Sequence, residues 1–244
     1  MTSKVLAIIQ ARMASTRLSR KVMAQIHGEP MLTRVVRRTK RARTLEEVLV
    51  ATSTSEQDDA IEDLCSWEGW SCFRGKEEDV LDRYYQAANA YEGDPIVRVT
   101  ADCPLIDPGL IDEVVTIFHE GEWDYVSNTL EPRSFPRGLD TEVLSFKALE
   151  RAWQEDKTPR WREHVTPYLY RHPDLFRLRG VRPDEDFSSL RWTVDTAQDL
   201  ELARRIYAGF GGDDHFTWRD VLALLENHPE WIAINRDVPQ KTVD

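Results

Sequence analysis

A chain of 244 residues that is 41% hydrophobic and 31% charged holds apolar material for one generous core with at most a small appendage, so a single domain over 1–244 is expected. No apolar run reaches the roughly 18–20 residues that cross a bilayer, and the N-terminus lacks a secretory apolar segment; a soluble, cytoplasmic protein without a membrane partner is expected. The formal net charge of −11 is unevenly spread, with eleven Lys and Arg against one acid in residues 1–43 and 21 against 42 in the remainder, so no nucleic-acid partner is expected while the basic end suits a small anion.

The first predicted element is a buried strand at Val5–Ile9, five apolar residues in a row. It empties into QARMASTRLSRK, where Arg12, Arg17, Arg20 and Lys21 are interleaved with Ser15 and Thr16. A helix opens at Pro30 with Met31, Leu32, Val35 and Val36 on one face; Arg34, Arg37, Arg38 and Arg41 on the other are expected to be a solvated surface. A strand at Val48–Ala51, a helix over 56–66, a short strand near Cys72 and Phe73 and a helix carrying Val80, Leu81, Tyr84, Tyr85 and Ala88 follow. PIVRVTADCPLIDP reads as a buried strand, Ile96–Val99, ending in a polar corner, after which Asp107 caps a helix with Pro108 at its first position. This alternation predicts an α/β fold with a mostly parallel sheet wrapped on both faces.

From about Tyr125 the alternation weakens, and residues 125–190 read as an inserted region or lid: strands in SFPRGLDTEVL and LFRLRG, joined by an Arg-rich helix, TPRWREHVTPYLYRH. LRWTVDT is expected to be a strand running into a helix with a capping box at Thr196 and Asp199; Thr217 and Asp220 open another, and 229–244 form an extended arm.

Ligands of doubly wound sheets lie beyond the carboxyl ends of the strands, which makes residues 10–21, 52–54, 74–83, 101–104 and Asp195 the candidates. Residues 10–21 contain no glycine, so a phosphate there is held by side chains, with Arg12 and Arg17 able to fork onto its oxygens and Lys21 acting as a mobile point charge. Asp102 and Asp195, at two strand ends opposite these cations, match the needs of Mg²⁺, although Asp195 also directly precedes a helix cap. Cys65, Cys72 and Cys103 have no CxxC spacing and the six histidines are scattered, which suits a reducing compartment and argues against a Cys/His metal site. Cys103 has no base beside it and reads as a small buried residue rather than a nucleophile. Tyr84, Tyr85 and Trp153 read as core, whereas Trp161, Tyr168 and Tyr170 fall in the lid.

IIQARMASTRLSRKVM, FRGKEEDVLDRYYQAA, RVTADCPLIDP, SFPRGLDTEV, REHVTPYLYRHP and RWTVDTAQDLELAR, in that order over nearly the whole chain, resemble the cytidylyltransferases that activate acidic sugars. These are the CMP-KDO and CMP-sialic acid synthetases, and the likeness is strongest to their relatives in the spore-coat polysaccharide biosynthesis protein F family. The resemblance implies a three-layer Rossmann-like, GT-A-like nucleotidyltransferase fold, often a homodimer. It implies transfer of CMP from CTP to an acidic sugar or related acceptor, with release of pyrophosphate and with Mg²⁺, in surface polysaccharide biosynthesis. Carried onto this chain, Arg12, Arg17 and Lys21 grip the triphosphate beside Ser15, with Arg12, Lys21 and Asp102 as the catalytic set. The backbone around Ala11 and the hydroxyls of Thr52 and Ser53 bound the cytosine pocket, and Arg74 and Arg83 close it. Asp102 and Asp195 hold the metal, and Arg137, Glu142, His164 and Arg191 face the acceptor, within the region that also carries the dimer contact.

One departure stands out. Where these relatives read Leu-Pro-Gly-Lys, this chain has Leu18, Ser19, Arg20 and Lys21, losing a residue that accepts positive φ and gaining a charge that either adds a phosphate contact or, as expected, points to solvent. Two other readings compete: a GT-A-type glycosyltransferase, which generally shows an Asp-x-Asp where this chain has Asp102, Cys103 and Pro104, and a nucleotide-binding module that has lost its chemistry.

Overall fold

Strand β1 (Lys4–Gln10) lies inside the sheet, which explains its unbroken apolar run: Val5, Ala7 and Ile9 pack on one face, Leu6 and Ile8 on the other. A computed structural model of the chain describes residues 4–240. After β1 come the short hairpin β2 (Gln25–Ile26) and β3 (Glu29–Pro30), α1 (Met31–Thr39), β4 (Glu47–Ser53), α2 (Asp59–Glu68), β5 (Ser71–Gly75), α3 (Val80–Ala90), β6 (Gly93–Thr100) and α4 (Pro108–His119). Then follow β7 (Tyr125–Ser127), β8 (Glu142–Leu144), α5 (Phe146–Glu155), α6 (Pro159–His164), α7 (Pro167–Arg171), β9 (Leu178–Gly180), α8 (Ala197–Gly209), α9 (Trp218–Asn227) and α10 (Pro229–Ile232).

The main sheet runs β5-β4-β1-β6-β8-β7-β9, with β5, β4, β1 and β6 parallel and β8 antiparallel to both its neighbours. Residues from α1, α2, α4, α8 and α9 fill the core on one face of the sheet, and residues from α3, α5 and α7 fill it on the other, giving the three layers expected. The chain leaves β1 toward β4 on one side and returns to β6 on the other. The crevice where ligands bind in such sheets therefore opens beyond the paired ends Gln10 and Thr100. No described helix is long and apolar enough to cross a membrane.

Local signals are realised where they were strong: Asp107 caps α4, and Thr196–Asp199 and Thr217–Asp220 form complete capping boxes. Elsewhere the fold corrects the sequence. Arg34 and Arg38 are not solvated; they are 3% and 0% exposed. Arg38 donates to the carbonyls of Ile106, Asp214 and Phe216 at 2.8, 2.8 and 3.0 Å, and Arg34 to those of Ile26, His27 and Gly212. The loop from 211 to 217 docks on α1 and brings carbonyls that need donors.

Residues 190–196 do not form a ladder strand. The amides of Trp192 and Thr193 both donate to the Arg137 carbonyl, and the Val194 amide donates to that of Asp102 at 2.8 Å. Gly138 permits this approach, since a Cβ there would stand 2.4 Å from the Thr193 nitrogen. The 134–141 stretch is irregular, and strand appears only at Glu142–Leu144. The Arg-rich helix is two short helices, broken at Val165, whose φ is 71°. The arm is not extended from 229: it begins as α10, and the buried Asn235 ties it down by donating to the Arg191 carbonyl and the Asp199 carboxylate. Its last residues, 241–244, lie outside the described residues.

Candidate active site

Beyond Gln10 the chain turns over the sheet edge and is held by its own backbone and one buried acid. Ala11 donates its amide to the Ala51 carbonyl, Met13 donates its amide to Asp58 at 2.7 Å, and the Arg20 amide closes the loop on the Met13 carbonyl. Asp58 also takes the hydroxyl of Ser53, so that serine braces the loop from beneath.

The loop borders a cavity of about 1480 Å³ at the crevice predicted by the topology. Arg12, Arg17, Arg20, Lys21, Arg83, Arg98 and Arg160 line it against Glu56, Asp102, Glu163 and Asp195, a positive hollow in an acidic protein. Of the residues expected at the site, Ala11, Arg12, Ser15, Arg17, Lys21, Arg83, Asp102, His164 and Asp195 come together here.

At the centre, the Lys21 ammonium donates to Asp102 Oδ2 at 2.8 Å, to Asp195 Oδ1 at 2.7 Å and to the Val194 carbonyl at 3.1 Å. The other Asp195 oxygen receives Arg17 and Arg191, each at 2.8 Å, and Thr100 donates its hydroxyl to Asp102 at 2.6 Å. Burial works against the charge on Lys21, yet Asp102 and Asp195 outweigh it and raise its pKa. Burial likewise opposes ionisation of Asp102, but the Lys21 charge and the bonds from Lys21 and Thr100 bring it down to about 2.

Two carboxylates thus converge on one point already held by a cation. This donor set fits a magnesium ion, which takes one or two carboxylates and completes its shell from water and phosphate oxygens. Among the described residues no group of three or more potential side-chain ligands could cage an ion.

Several expected residues stand behind the cavity wall or away from it. Thr52 is fully buried, its hydroxyl without a protein partner, and neither it nor Ser53 lines the hollow. Arg74 does not close the pocket: it donates to the Ser53 and Ser55 carbonyls and pairs with Asp59 and Glu62, stapling β5 to α2. Arg83 borders the cavity while holding the Lys76 and Glu77 carbonyls at 2.7 and 3.0 Å. Arg137 serves the 190–193 stretch through its backbone, and its side chain does not reach the cavity. Arg191 acts through Asp195 and Asp199, and Glu142 through Arg98.

Arg98, Arg160 and Glu163 escaped the sequence reading. Arg98, a lone cation inside the apolar strand PIVRVT, was the visible signal; it pairs with Glu142, which also accepts the Tyr125 hydroxyl at 2.6 Å. Glu163 reaches across the cavity to Arg12 at 2.8 Å. Burial, and then the Arg98 charge, lower the pKa of His164. Trp161, Tyr168 and Tyr170 do not line the cavity.

Known proteins are similar to this chain in sequence, and one solved structure in fold as well. The spore coat polysaccharide biosynthesis protein SpsF of Bacillus subtilis is 32% identical over 235 residues, covering 93% of this chain and 95% of that protein. The 3-deoxy-manno-octulosonate cytidylyltransferase of Koribacter versatilis is 35% identical over 248 residues, covering 93% and 92%. The solved structure of a cytidylyltransferase from Leptospira borgpetersenii superposes with a TM-score of 0.91 at 32% identity, over 98% of this chain and all of that one. These likenesses favour neither the glycosyltransferase nor the inert-module reading. Since the sequence profile of the cytidylyltransferases also matches residues 6–209, spanning the basic loop, Asp102 and Asp195, the chain belongs to the cytidylyltransferase family.

Proposed function

We propose that this protein transfers the CMP group of CTP to an acidic sugar, releasing pyrophosphate, in the synthesis of a surface polysaccharide. The observation that carries this reading is the convergence of Asp102 and Asp195 on one cation at the heart of a basic cavity beyond β1 and β6. The names of the Bacillus and Koribacter relatives support the polysaccharide setting and the acidic acceptor.

Arg12, Arg17 and Lys21 bind the triphosphate. The bond from Arg12 to Glu163 is exposed and worth about 1 kcal/mol or less, so a phosphate readily replaces it. Asp102 and Asp195 would hold Mg²⁺, which when bound adds positive charge at the α-phosphate. An acceptor hydroxyl oxygen attacks the α-phosphorus in line: the new P–O bond forms as the bond to pyrophosphate breaks, the hydroxyl proton passes to water, and the guanidinium and ammonium groups around it meet the charge on the phosphoryl oxygens. No side-chain nucleophile takes part; burial pushes the Cys103 thiol far above its ordinary value and keeps it protonated. His164, kept neutral by burial, is placed on the α6 wall to accept a hydrogen bond from an acceptor hydroxyl.

Residues 125–190 supply this α6 wall through Arg160, Glu163 and His164, and we read them as the acceptor-binding and dimer-forming region of a single domain, with light scattering as the check on a dimer. The unpaired thiols of Cys65, Cys72 and Cys103 fit a reducing, cytoplasmic setting. The decisive experiment is a pyrophosphate-release screen of CTP, UTP, ATP and GTP with Mg²⁺ against ulosonic acids, neutral sugars and phosphonates. Release with CTP and an acidic acceptor is expected; release confined to another nucleotide or to neutral sugars would overturn the reading.

A further inference from the structure

We propose that Arg20 is a binding residue for the pyrophosphate portion of the nucleotide, a role that rests on the reading above. Arg20 precedes the turn Lys21–Met23 with φ 54° and ψ 29°, a left-handed conformation that strains any residue with a Cβ and that glycine adopts freely. The turn itself is required, because the Arg20 amide closes the loop on Met13 and its carbonyl accepts from Met23. The long cationic side chain is not. It is exposed on the cavity rim and, among the described residues, makes no hydrogen bond or ion pair.

Every other described cation lining the cavity is engaged within the protein. Arg12 pairs with Glu163, Arg17 and Lys21 with Asp195, and Arg98 with Glu142; Arg83 holds two carbonyls, and Arg160 has a partner as well. Among the described residues lining the cavity, Arg20 is the cation with no protein partner to give up before it meets an incoming group. Its neighbour Lys21 marks the acid pair where the α-phosphate reacts, so an exposed guanidinium one residue away meets the phosphates that project outward from that point. Its planar fork suits two phosphate oxygens at once.

The test uses Arg20→Asn and Arg20→Gly, both of which accept positive φ without the charge. Calorimetry with Mg²⁺ compares CTP, CMP and pyrophosphate on the wild type and both variants. Affinity for CTP and for pyrophosphate is expected to fall about tenfold, with CMP unchanged within about twofold and melting points kept, since a charged hydrogen bond is lost only where the terminal phosphates bind. Unchanged CTP affinity, an equal loss for CMP, or a melting point lowered by more than about 5 °C would overturn the assignment, the last by showing a structural role. A wild type that binds no CTP would instead refute the proposed function and take this inference with it.

Discussion

Replacing Lys21 with Met withdraws the ammonium from between Asp102 and Asp195 with little change in side-chain length. The three side chains are 12%, 26% and 14% exposed, so their bonds of 2.8 and 2.7 Å lie mostly out of water and are weakly screened. Lys21 and Thr100 hold Asp102 at about 2 against the ordinary 3.8, and at about 1.4 kcal/mol per unit this is about 2 kcal/mol. The sign follows from the depressed value: the stabilisation is present above pH 3.8 and is lost as the pH falls toward 2. On the Lys21 side, the raised value keeps the contribution whole below 10.5 and removes it as the pH climbs past the folded value. At neutral pH in Lys21→Met, Arg17 and Arg191 still compensate Asp195, but Asp102 loses its counter-ion. A divalent ion no longer competes with a resident cation, and since Thr100 keeps its bond to Asp102, the Lys21 share of that stabilisation is on the order of tenfold in affinity. We expect the nucleotide-free variant to bind Mn²⁺ about tenfold more tightly than wild type, read from the free-ion electron paramagnetic resonance signal at pH 7.5, and to gain a Mg²⁺-dependent rise in melting temperature. Equal or weaker Mn²⁺ binding by the variant would show that the two aspartates are not the ligands of the ion.

Three further outcomes are expected. Asp102→Asn should lower pyrophosphate release by about a hundredfold or more while the melting point moves only a few degrees, since it removes charge at the reacting phosphate and leaves the fold; turnover within tenfold of wild type would retire Asp102 from the site. Arg38→Leu, remote from the cavity, strands the Ile106, Asp214 and Phe216 carbonyls and should cost about 3–5 kcal/mol, or roughly 10 °C in melting temperature, checked by thermal and urea unfolding. The imidazole of His164 should titrate below 6.5 by NMR, since burial and Arg98 both disfavour its cation; a midpoint above 7 would show that Glu163 governs it instead.

The parts of the fold legible in the sequence are those whose causes are local. Val5–Ile9 announced a strand buried on both faces, Asp107, Thr196 and Thr217 announced helix starts, and the basic run after β1 announced the cation-lined rim of the cavity. Helical spacing could separate α1 into an apolar and a basic face, but not reveal that carbonyls of residues 211–217 would bury Arg34 and Arg38. Arg74 sat at the right strand end, yet the acids of α2 claimed it. Arg98 was visible only as an oddity within its strand until Glu142, 44 residues on, came to face it.

The alternation of strands and helices gave away the fold class, and the charge asymmetry the basic loop, because each rests on neighbours in the chain. Which of the cations are already paired depends on chain folding alone. Lys21 meets its partners 81 and 174 residues away, and a long-range electrostatic pairing of that kind leaves no periodic trace in the sequence.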